Sequence, residues 1–316
     1  MWAATTMKKP ITIRLPIAIS VSDLHLSVKP PTARNETQAQ WFDTMRRALR
    51  ELGEVARVAG LPIICGGDIF DRWCPPPELV NFALDNLPTM YAVPGQHDLP
   101  YHNYELMDRC GYGVLVRAKV VVDLPPGIPV AIGWGQCLYG FPWGHPPQPR
   151  TKREGELAIA VCHHYVWTAD HGYTGAEAGD KVTVMAKQLQ GYGVAVFGDN
   201  HKGFTLSSKN RVSIVNNGGF IRRRSDEAEY VPSYNVIYSD GTAERVALKA
   251  GDGDELKQTT TSTETDFDAG ELVAALRNNV LGEFDYVREL QRTMKEAKTP
   301  KPVQSIIKAA ATNKTQ

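Results

Sequence analysis

The sequence lacks an excess charge, a paired cysteine motif and any long apolar run. Its 316 residues include 35 basic and 35 acidic side chains, so the formal net charge at pH 7 is zero. This balance excludes a protein that coats DNA through overall positive charge, although it is compatible with a local basic face. Hydrophobic residues make up 42% and charged residues 22% of the chain, which is ordinary for a globular protein and excludes disorder throughout.

Cysteine is scarce, and its placement does not suggest disulfides. The five cysteines form no C-x-x-C pair, and Cys65 and Cys162 lie inside apolar runs, which fits a reducing compartment. No stretch approaches the roughly 20 apolar residues of a membrane-spanning helix. Arg14 and Pro16 interrupt the apolar segment near the N-terminus, so a secretory signal pattern is also absent. We therefore expect a cytoplasmic protein without a membrane segment.

Short apolar runs that end abruptly in polar residues recur over the first two thirds of the chain. They are typical of buried strands in an α/β sheet, and they span residues 17–21, 61–65, 90–93, 157–162 and 194–197. A helical pattern with Thr37 as N-cap and Gly60 as stop separates the first two runs, and a second helix is predicted over 78–86. This β-α-β rhythm predicts an α/β fold whose strand-end loops carry the function.

The pattern changes after His201. Alternating runs at 211–215 and 234–239 predict antiparallel strands that complete a second sheet. Residues 251–268 are rich in Asp, Glu and Thr, which is typical of a linker, and helical periodicity returns over 269–297. We therefore expect a main domain over 1–250, a linker over 251–268 and a C-terminal helical module over 269–316.

Each of the five predicted strands is followed by side chains that commonly bind metals. In chain order these segments are Asp23-x-His25, Gly67-Asp68, Gly95-Gln96-His97-Asp98, His163 and Asp199-Asn200-His201. Carboxylates, imidazoles and an amide oxygen that meet at one sheet edge form a site for two adjacent divalent cations. A single segment of this kind has little meaning, but the ordered series indicates a dinuclear metal site.

The series resembles the motifs of the calcineurin-like metallophosphoesterases, which read D-x-H, G-D, G-N-H-D/E, H and G-H-x-H. The resemblance covers about residues 15–220. Residues 66–71 followed by Pro75-Pro76-Pro77-Glu78 are most similar to SbcD-type DNA repair exonucleases, the nuclease partners of SMC-like ATPases. The resemblance implies an α/β fold of four layers, an α-β-β-α sandwich of two mixed sheets, here followed by the C-terminal helical tail.

The resemblance also implies which residues hold the metal ions. One ion would be bound by Asp23, His25 and His201, Asp68 would bridge both ions, and the other ion would be bound by Gln96, His163 and Asp199. Gln96 stands where the family has Asn, and Asp199 stands where the family has the first His of G-H-x-H. A hard carboxylate oxygen at this position favours Mn²⁺, with Mg²⁺ as the alternative.

Two adjacent histidines compete for one ligand position. Neighbouring side chains at the end of a strand point to opposite sides, so only one of His163 and His164 can face the metals. Alignment with the family motif favours His163, and His164 stays open as the alternative.

The resemblance assigns three further residues to catalysis. His97 would stabilise or protonate the leaving oxygen, Asp71 would orient His97, and Arg72 would bind phosphate. A hydroxide that bridges two cations is a strong nucleophile near neutral pH, and the cations neutralise charge on the phosphoryl group. No covalent enzyme intermediate is then required.

The predicted substrate is DNA, cut by an exonuclease with an additional endonuclease action on single strands as an option. Arg222, Arg223 and Arg224 form a basic run near the predicted site, and Lys202 is well placed for a phosphate oxygen. Aromatic residues in the strand-end loops would either stack bases or pack the loops, and they include Tyr101, Tyr104, Trp143, Tyr165, Trp167 and Tyr173. The resemblance further implies that residues 269–316 dock an SMC-like ATPase of the SbcC type, and that a homodimer is an option.

Two other functions compete with the nuclease. Residues 67–72 also resemble the G-D-x-x-D-R segment of phosphoprotein phosphatases, although Trp73 replaces the usual Gly, so a phosphomonoesterase acting on phosphoprotein or nucleotide is one alternative. The other is a noncatalytic scaffold in which the altered ligands of the second metal, Gln96 and Asp199, have disabled turnover. The presence of His97 argues against it, because a binding module needs no acid for a leaving group.

Overall fold

The structure, a computed structural model, describes residues 14–173, 175–209 and 211–251. The predicted helical module over 269–316 lies outside these residues, as does the predicted linker except for Gly251. The domain boundaries therefore stay predictions.

Twelve strands and four α-helices are formed by the described residues. The strands are β1 (Pro16–Val21), β2 (Ile63–Cys65), β3 (Met90–Ala92), β4 (Val121–Asp123), β5 (Pro129–Gly133), β6 (Gln136–Phe141), β7 (Leu157–Cys162), β8 (Val194–Phe197), β9 (Phe204–Leu206), β10 (Ser213–Asn216), β11 (Ser233–Tyr238) and β12 (Ala243–Ala247). The helices are α1 (Gln38–Ala59), α2 (Pro77–Asn86), α3 (Gly111–Arg117) and α4 (Val182–Gln188). None of these helices is both long and apolar enough to cross a membrane.

The strands form two six-stranded mixed sheets. The first has the order β12-β11-β1-β2-β3-β4, and the second has the order β5-β6-β7-β8-β10-β9. Strands β1 to β4 are parallel, as are β6, β7, β8 and β10. The strands that precede the five metal-ligand segments are therefore three neighbours in the first sheet and two neighbours in the second.

Side chains alternate between the two faces of each strand, and this alternation builds the layers. In β1, Ala18 faces the apolar core between the sheets, whereas Ile19 and Val21 face a second core formed with α1, α2 and α3. Met185 of α4 packs on the outer face of the second sheet with residues of β7 and β8. This order of layers confirms the four-layer α-β-β-α sandwich.

The longest helix begins and ends where the sequence predicts. The Thr37 hydroxyl accepts from the N–H of Gln40 at 3.4 Å, and the Gln40 side chain accepts from the N–H of Thr37 at 2.8 Å. Gly60 ends α1 with a φ of 65°, a conformation that glycine adopts without a steric penalty. Helix α1 connects two parallel strands whose last residues, Val21 and Cys65, are paired, so Asp23 and Asp68 emerge at the same edge.

The predicted arrangement of the last strands is wrong in two respects. Strand β10 is parallel to β8 and antiparallel only to β9, and β11 pairs antiparallel with β1 in the first sheet. Alternating sequences report which face is buried but carry no information about the partner strand. The chain returns to the first sheet after β10, and this crossing brings residues 217–224 past the edge that carries the candidate ligands.

Candidate metal centre

The candidate ligands follow the ends of parallel strands, where the backbone takes conformations that most side chains avoid. Asp23, His25, Asp68 and Asp199 have φ angles of 53°, 45°, 53° and 77°. Each left-handed non-glycine residue costs about 1–3 kcal/mol. Cross-loop hydrogen bonds hold this backbone, including the N–H of Asp23 to Gly67 O at 2.9 Å and the N–H of His25 to Asp68 O at 2.9 Å. These hydrogen bonds thus hold the strand ends together as one rigid edge.

Two glycines make room for the cluster. A Cβ at Gly67, whose φ is 104°, would overlap the ring of His163, and a Cβ at Gly95 would overlap the carboxylate of Asp68. The G-D and G-Q-H-D segments therefore need glycine because a ligand side chain occupies the space where a Cβ would lie.

Asp23, His25 and His201 form the first group of converging ligand atoms. Nε2 of His25 lies 3.0 Å from Nε2 of His201, and Oδ1 of Asp23 lies 3.9 and 3.8 Å from these two atoms. All three side chains come from loops after β1 and β8, so this group joins the two sheets. The structure brings together all three residues that the sequence assigns to one ion.

Asp68 and His163 contribute to the second group, which also includes Asp23. Oδ2 of Asp68 lies 3.4 Å from Nε2 of His163 and 3.8 Å from Nε2 of His25. Asp68 is therefore placed between the two sets of ligands, as a bridging carboxylate would be. Its other oxygen accepts from the N–H of His97 at 3.0 Å, which fixes the orientation of the carboxylate.

Gln96 and Asp199, the two positions that depart from the family motif, are hydrogen-bonded to each other. Nε2 of Gln96 donates to Oδ1 of Asp199 at 2.8 Å, which leaves Oε1 of Gln96 as the atom available to a metal ion. Asp199 belongs to none of the three groups of converging ligand atoms found among the described residues. Its N–H donates to Oδ1 of Asp23 at 3.1 Å, so its main chain is nevertheless tied to the cluster.

Three buried atoms of this second set fit the requirement for a cation. Oε1 of Gln96 lacks a hydrogen-bond partner among the described residues, and Oδ2 of Asp68 and Nε2 of His163 form no hydrogen bond there, although they lie 3.4 Å apart. Buried polar atoms are normally paired, because each one left unpaired costs about 1–3 kcal/mol. Two hard oxygens and one imidazole nitrogen are a donor set for a divalent ion such as Mn²⁺ or Mg²⁺. The residues present therefore fit the pair of metals that the sequence predicts.

The structure separates the two adjacent histidines. Nδ1 of His163 contacts Gly66 O at 2.6 Å, which directs Nε2 of the buried ring to Asp68. His164 turns the other way and contacts Oδ1 of Asp180 through Nε2 at 3.0 Å. Of the two alternatives, His163 is the one that lies in the cluster.

Burial and mutual attraction shift the pKa values of the ligands. Burial raises the pKa of Asp23 to about 6. For His163, burial lowers the pKa, but the Asp68 carboxylate raises it more strongly, to about 10. Burial likewise opposes ionisation of Asp68, yet His163 and His25 hold its pKa below the usual range. At neutral pH the His163 ring therefore holds a proton where a divalent cation would bind, so metal binding should release that proton.

His97 lies at the exposed side of the cluster. It forms the third group of converging ligand atoms with His25 and Asp68, and its Nδ1 contacts the main-chain oxygen of Asp71 at 3.0 Å. The sequence analysis expects Asp71 to orient His97. Asp71 does contact His97, but through its main-chain carbonyl. The Asp71 carboxylate instead pairs with Arg223 at 2.6 Å and lies 3.9 Å from Nδ1 of His25.

Two further residues support this arrangement: Arg223, which belongs to the basic run that the sequence offers for phosphate contact, and Asp98. Arg223 donates to Asp71 and also to the main-chain oxygen of His25, so the 217–224 segment braces both loops. Asp98 is buried and accepts the N–H groups of Ile69, Phe70 and Gly95 at 3.1, 2.9 and 3.0 Å. Burial, followed by the nearby Asp68 carboxylate, raises the pKa of Asp98 to about 7. Sequence analysis could have singled out Asp98, because it belongs to the same short segment as His97. Nothing in the sequence distinguishes Arg223 from its two arginine neighbours.

The cations expected to bind phosphate differ in their availability. Arg72 is exposed and makes no hydrogen bond or ion pair with another described residue. It lines a cavity of about 260 Å³ together with Lys29 and Asp71. Lys202 is engaged elsewhere, because its ammonium donates to Gly172 O at 2.9 Å and lies 4.3 Å from the ring centre of Tyr173. Arg72 is therefore the better placed of the two.

The chain has similarities to known proteins. The sequence matches the model of the calcineurin-like phosphoesterase family over residues 18–203, whereas no functionally curated protein matches it. Similar solved structures include an archaeal phosphodiesterase, with 12% identity over 75% of this chain and 100% of the other and a TM-score of 0.38. The protein TT1561 of Thermus thermophilus has 11% identity over 74% and 100% of the two chains and a TM-score of 0.41. The calcineurin-like phosphoesterase YfkN of Bacillus subtilis has 11% identity over 74% and 89% and a TM-score of 0.42.

The family match contains all five strand ends described above, and it extends over more than half of the chain. Since the ligand-type side chains within the matched residues also converge in space, sequence and geometry lead to the same assignment: the chain belongs to the calcineurin-like phosphoesterase family.

Proposed function

We propose that this protein is a metal-dependent phosphodiesterase that hydrolyses DNA, as an exonuclease of the SbcD type that also accepts single strands. The observation that carries the proposal is the exposed His97 beside a buried cluster of carboxylates and imidazoles that includes three ligand atoms without a hydrogen bond to a described residue. Buried ligands suit a pair of cations, and an exposed acid at their edge suits a leaving oxygen that belongs to a long substrate.

The residues divide the chemistry among themselves. A pair of divalent cations, when bound, supplies an activated water and neutralises charge on the phosphoryl group. Asp23, His25, His201, Asp68, His163 and Gln96 would hold them, with Asp199 orienting Gln96 through their hydrogen bond. The Asp71 carbonyl accepts from Nδ1 of His97, so Nε2 is the ring atom that delivers a proton to the leaving oxygen. Asp98 holds the loop that carries His97, and Arg72 is free to contact a phosphate oxygen.

The proposed metal is Mn²⁺. Asp68 and Gln96 supply oxygen atoms beside the single imidazole of His163 at the second position, and Asp199 orients Gln96. Such a set suits Mn²⁺ or Mg²⁺ better than metals that prefer sulfur or several imidazoles. The first position has two imidazoles, which Mn²⁺ tolerates better than Mg²⁺ does.

The proposed partners are DNA and an SMC-like ATPase, the latter bound through residues 269–316, which lie outside the described part of the chain. An amphipathic helical segment at a chain end is a common way to occupy a groove of a partner. Co-migration with the ATPase in size-exclusion chromatography, for the full chain and for a chain ending at residue 258, tests this. Equal co-migration of both chains would contradict docking through the C-terminal segment.

One assay separates the candidate functions. Wild-type protein and the His97→Ala variant are incubated with Mn²⁺ and bis-p-nitrophenyl phosphate, p-nitrophenyl phosphate or end-labelled linear DNA, with a chelator control. We expect turnover of DNA and of the diester, a much smaller rate on the monoester, and loss of DNA cleavage in His97→Ala. Preference for the monoester would instead favour a phosphomonoesterase, and no turnover of any substrate would favour a scaffold.

A further inference from the structure

Two large aromatic side chains lie next to each other at the exposed edge of the metal centre. Trp73 follows Asp71 in the loop after β2, and Tyr101 follows His97 in the loop after β3. Their ring centres are 6.2 Å apart and their planes are inclined by 36°. Trp73 is 37% exposed and Tyr101 is 84% exposed, so solvent covers much of both rings.

Packing within the described part of the protein does not explain the conformation of Tyr101. Its φ angle is 52° and that of His102 is 59°, so two successive residues other than glycine adopt the left-handed conformation. Each such residue costs about 1–3 kcal/mol, and strain of this kind concentrates at functional sites. The Tyr101 hydroxyl makes no hydrogen bond to another described residue, and its ring gains little burial. The backbone therefore holds Tyr101 outward without a structural benefit within the described part of the chain.

The pair is attached firmly to the loops that position His97. Asp98 binds the N–H groups of Ile69 and Phe70, which ties the His97 loop to the loop that leads to Trp73. The main-chain oxygen of Trp73 accepts from the N–H of Gly111 at 3.0 Å, which anchors Trp73 to the start of α3. A group stacked on the exposed face of the two rings would thus stay at a fixed place relative to His97.

We infer that Trp73 and Tyr101 bind an unpaired nucleobase of the DNA strand, on the leaving-group side of the scissile phosphate. This inference rests on the proposed function, because His97 as the acid defines which side the leaving group occupies. Bases stack on aromatic side chains irrespective of sequence, with about 1–3 kcal/mol for each base. Arg72, which lies between Asp71 and Trp73 and is unpaired among the described residues, is placed for the phosphate of the same nucleotide.

The geometry selects an unpaired base over a paired one. With their centres 6.2 Å apart and their planes inclined by 36°, the two rings contact each other and form one aromatic surface. Most of the Tyr101 ring faces solvent, so a base can stack on this surface without displacing either ring. Bases within a duplex already have neighbours on both faces, so only a single strand or a frayed end offers a free base.

Binding without turnover tests the inference directly. Fluorescence titrations with an oligonucleotide that contains 2-aminopurine, with Ca²⁺ replacing Mn²⁺, compare wild type with Trp73→Ala and Tyr101→Ala. Trp134→Ala serves as the matched control, because Trp134 is 99% exposed in the turn between β5 and β6. We expect each of the two variants to weaken binding by about 5- to 100-fold, and the control to bind like wild type.

A second binding experiment uses an abasic oligonucleotide. An oligonucleotide without the base next to the cleaved phosphate should bind wild type as weakly as the normal strand binds Tyr101→Ala, and Tyr101→Ala should add no further loss. Equal binding by Tyr101→Ala and Trp134→Ala, or the same loss on abasic and normal strands, would overturn the inference.

The same experiments distinguish this inference from the proposed function. Strand binding that depends on Trp73 and Tyr101, in a protein that cleaves no DNA with Mn²⁺, would support the inference and contradict the nuclease. DNA cleavage with no effect of either substitution on binding would support the nuclease and contradict the inference. A wild-type protein that binds no single-stranded DNA would overturn both.

Discussion

At the scale of single residues, the metal centre depends on positive φ angles at Asp23, His25, Asp68 and Asp199. These conformations turn each side chain back toward the sheet edge as the strand ends. The sequence indicates the residue types and their order, so the side chains that converge at this edge could be named in advance, although Asp199 belongs to none of the converging groups found among the described residues. It does not indicate main-chain contacts, and for that reason the Asp71 carbonyl and the brace formed by Arg223 could not be anticipated.

The two adjacent histidines give a matched pair of substitutions. We expect His163→Ala to lose at least one metal ion, because Nε2 of His163 faces Asp68, whereas His164→Ala should bind metal like wild type. Elemental analysis after equilibration with Mn²⁺ measures both. Metal loss in His164→Ala together with normal content in His163→Ala would contradict the placement.

The role of His97 predicts a dependence on the leaving group. General acid catalysis contributes about 10²- to 10⁴-fold, so His97→Ala should reduce DNA cleavage by that range. The loss should be smaller for bis-p-nitrophenyl phosphate, because nitrophenolate leaves without a proton. Rate constants for the two substrates test this, and equal losses on both would assign His97 to metal binding alone.

At the scale of elements, parallel strands and capped helices were predictable where the pattern is strong. The five apolar runs before the ligand segments correspond to β1, β2, β3, β7 and β8, and Thr37 and Gly60 bound α1. Strands β4, β5 and β6 were not predicted. Length is not the reason, because β2 and β3 also have three residues, whereas β5 differs from the predicted strands in having no fully buried position. Strand β11 was assigned to the wrong sheet, although its antiparallel pairing is confirmed, because tertiary packing decides which strands pair.

The connection between β6 and β7 predicts a pH-dependent stability. Glu156 accepts hydrogen bonds from Tyr139 at 2.7 Å and from Arg150 at 2.5 Å. Burial opposes ionisation, but these two donors hold the pKa of Glu156 below its usual value. A lowered pKa in the folded state stabilises the protein above the unfolded pKa of about 4.3, and this contribution is lost as the pH falls through the folded pKa.

Glu156→Gln should therefore lower the free energy of unfolding by about 1–3 kcal/mol at pH 7, and by much less near pH 3. Urea unfolding of both proteins at the two pH values measures the difference. A difference independent of pH would show that the carboxylate charge contributes nothing.

At the scale of the whole molecule, the metal centre joins the two sheets. Asp23, His25 and Asp68 come from the first sheet, and His163 and His201 come from the second. The fold is general to a family with many substrates, so it does not by itself select DNA. Substrate choice is expected to lie in the loops, where Arg72, Trp73 and Tyr101 are exposed.

Metal binding should therefore stabilise the entire fold. Ligand binding to the native state adds about 2.7 kcal/mol at a free concentration 100 times the Kd. We expect Mn²⁺ to raise the Tm of the wild-type protein relative to a chelator, and to leave the Tm of Asp68→Asn nearly unchanged. An equal rise in both proteins would indicate that Mn²⁺ binds elsewhere.

The most direct test of the central claim is the number of Mn²⁺ ions bound per chain, measured by elemental analysis for wild type and for Asp68→Ala at saturating Mn²⁺. The converging ligands, and the atoms of Asp68, Gln96 and His163 without a hydrogen bond to a described residue, predict about two ions in wild type and a loss of metal in the variant. A wild-type protein that binds no Mn²⁺, or an Asp68→Ala protein that keeps the full wild-type content, would contradict the account.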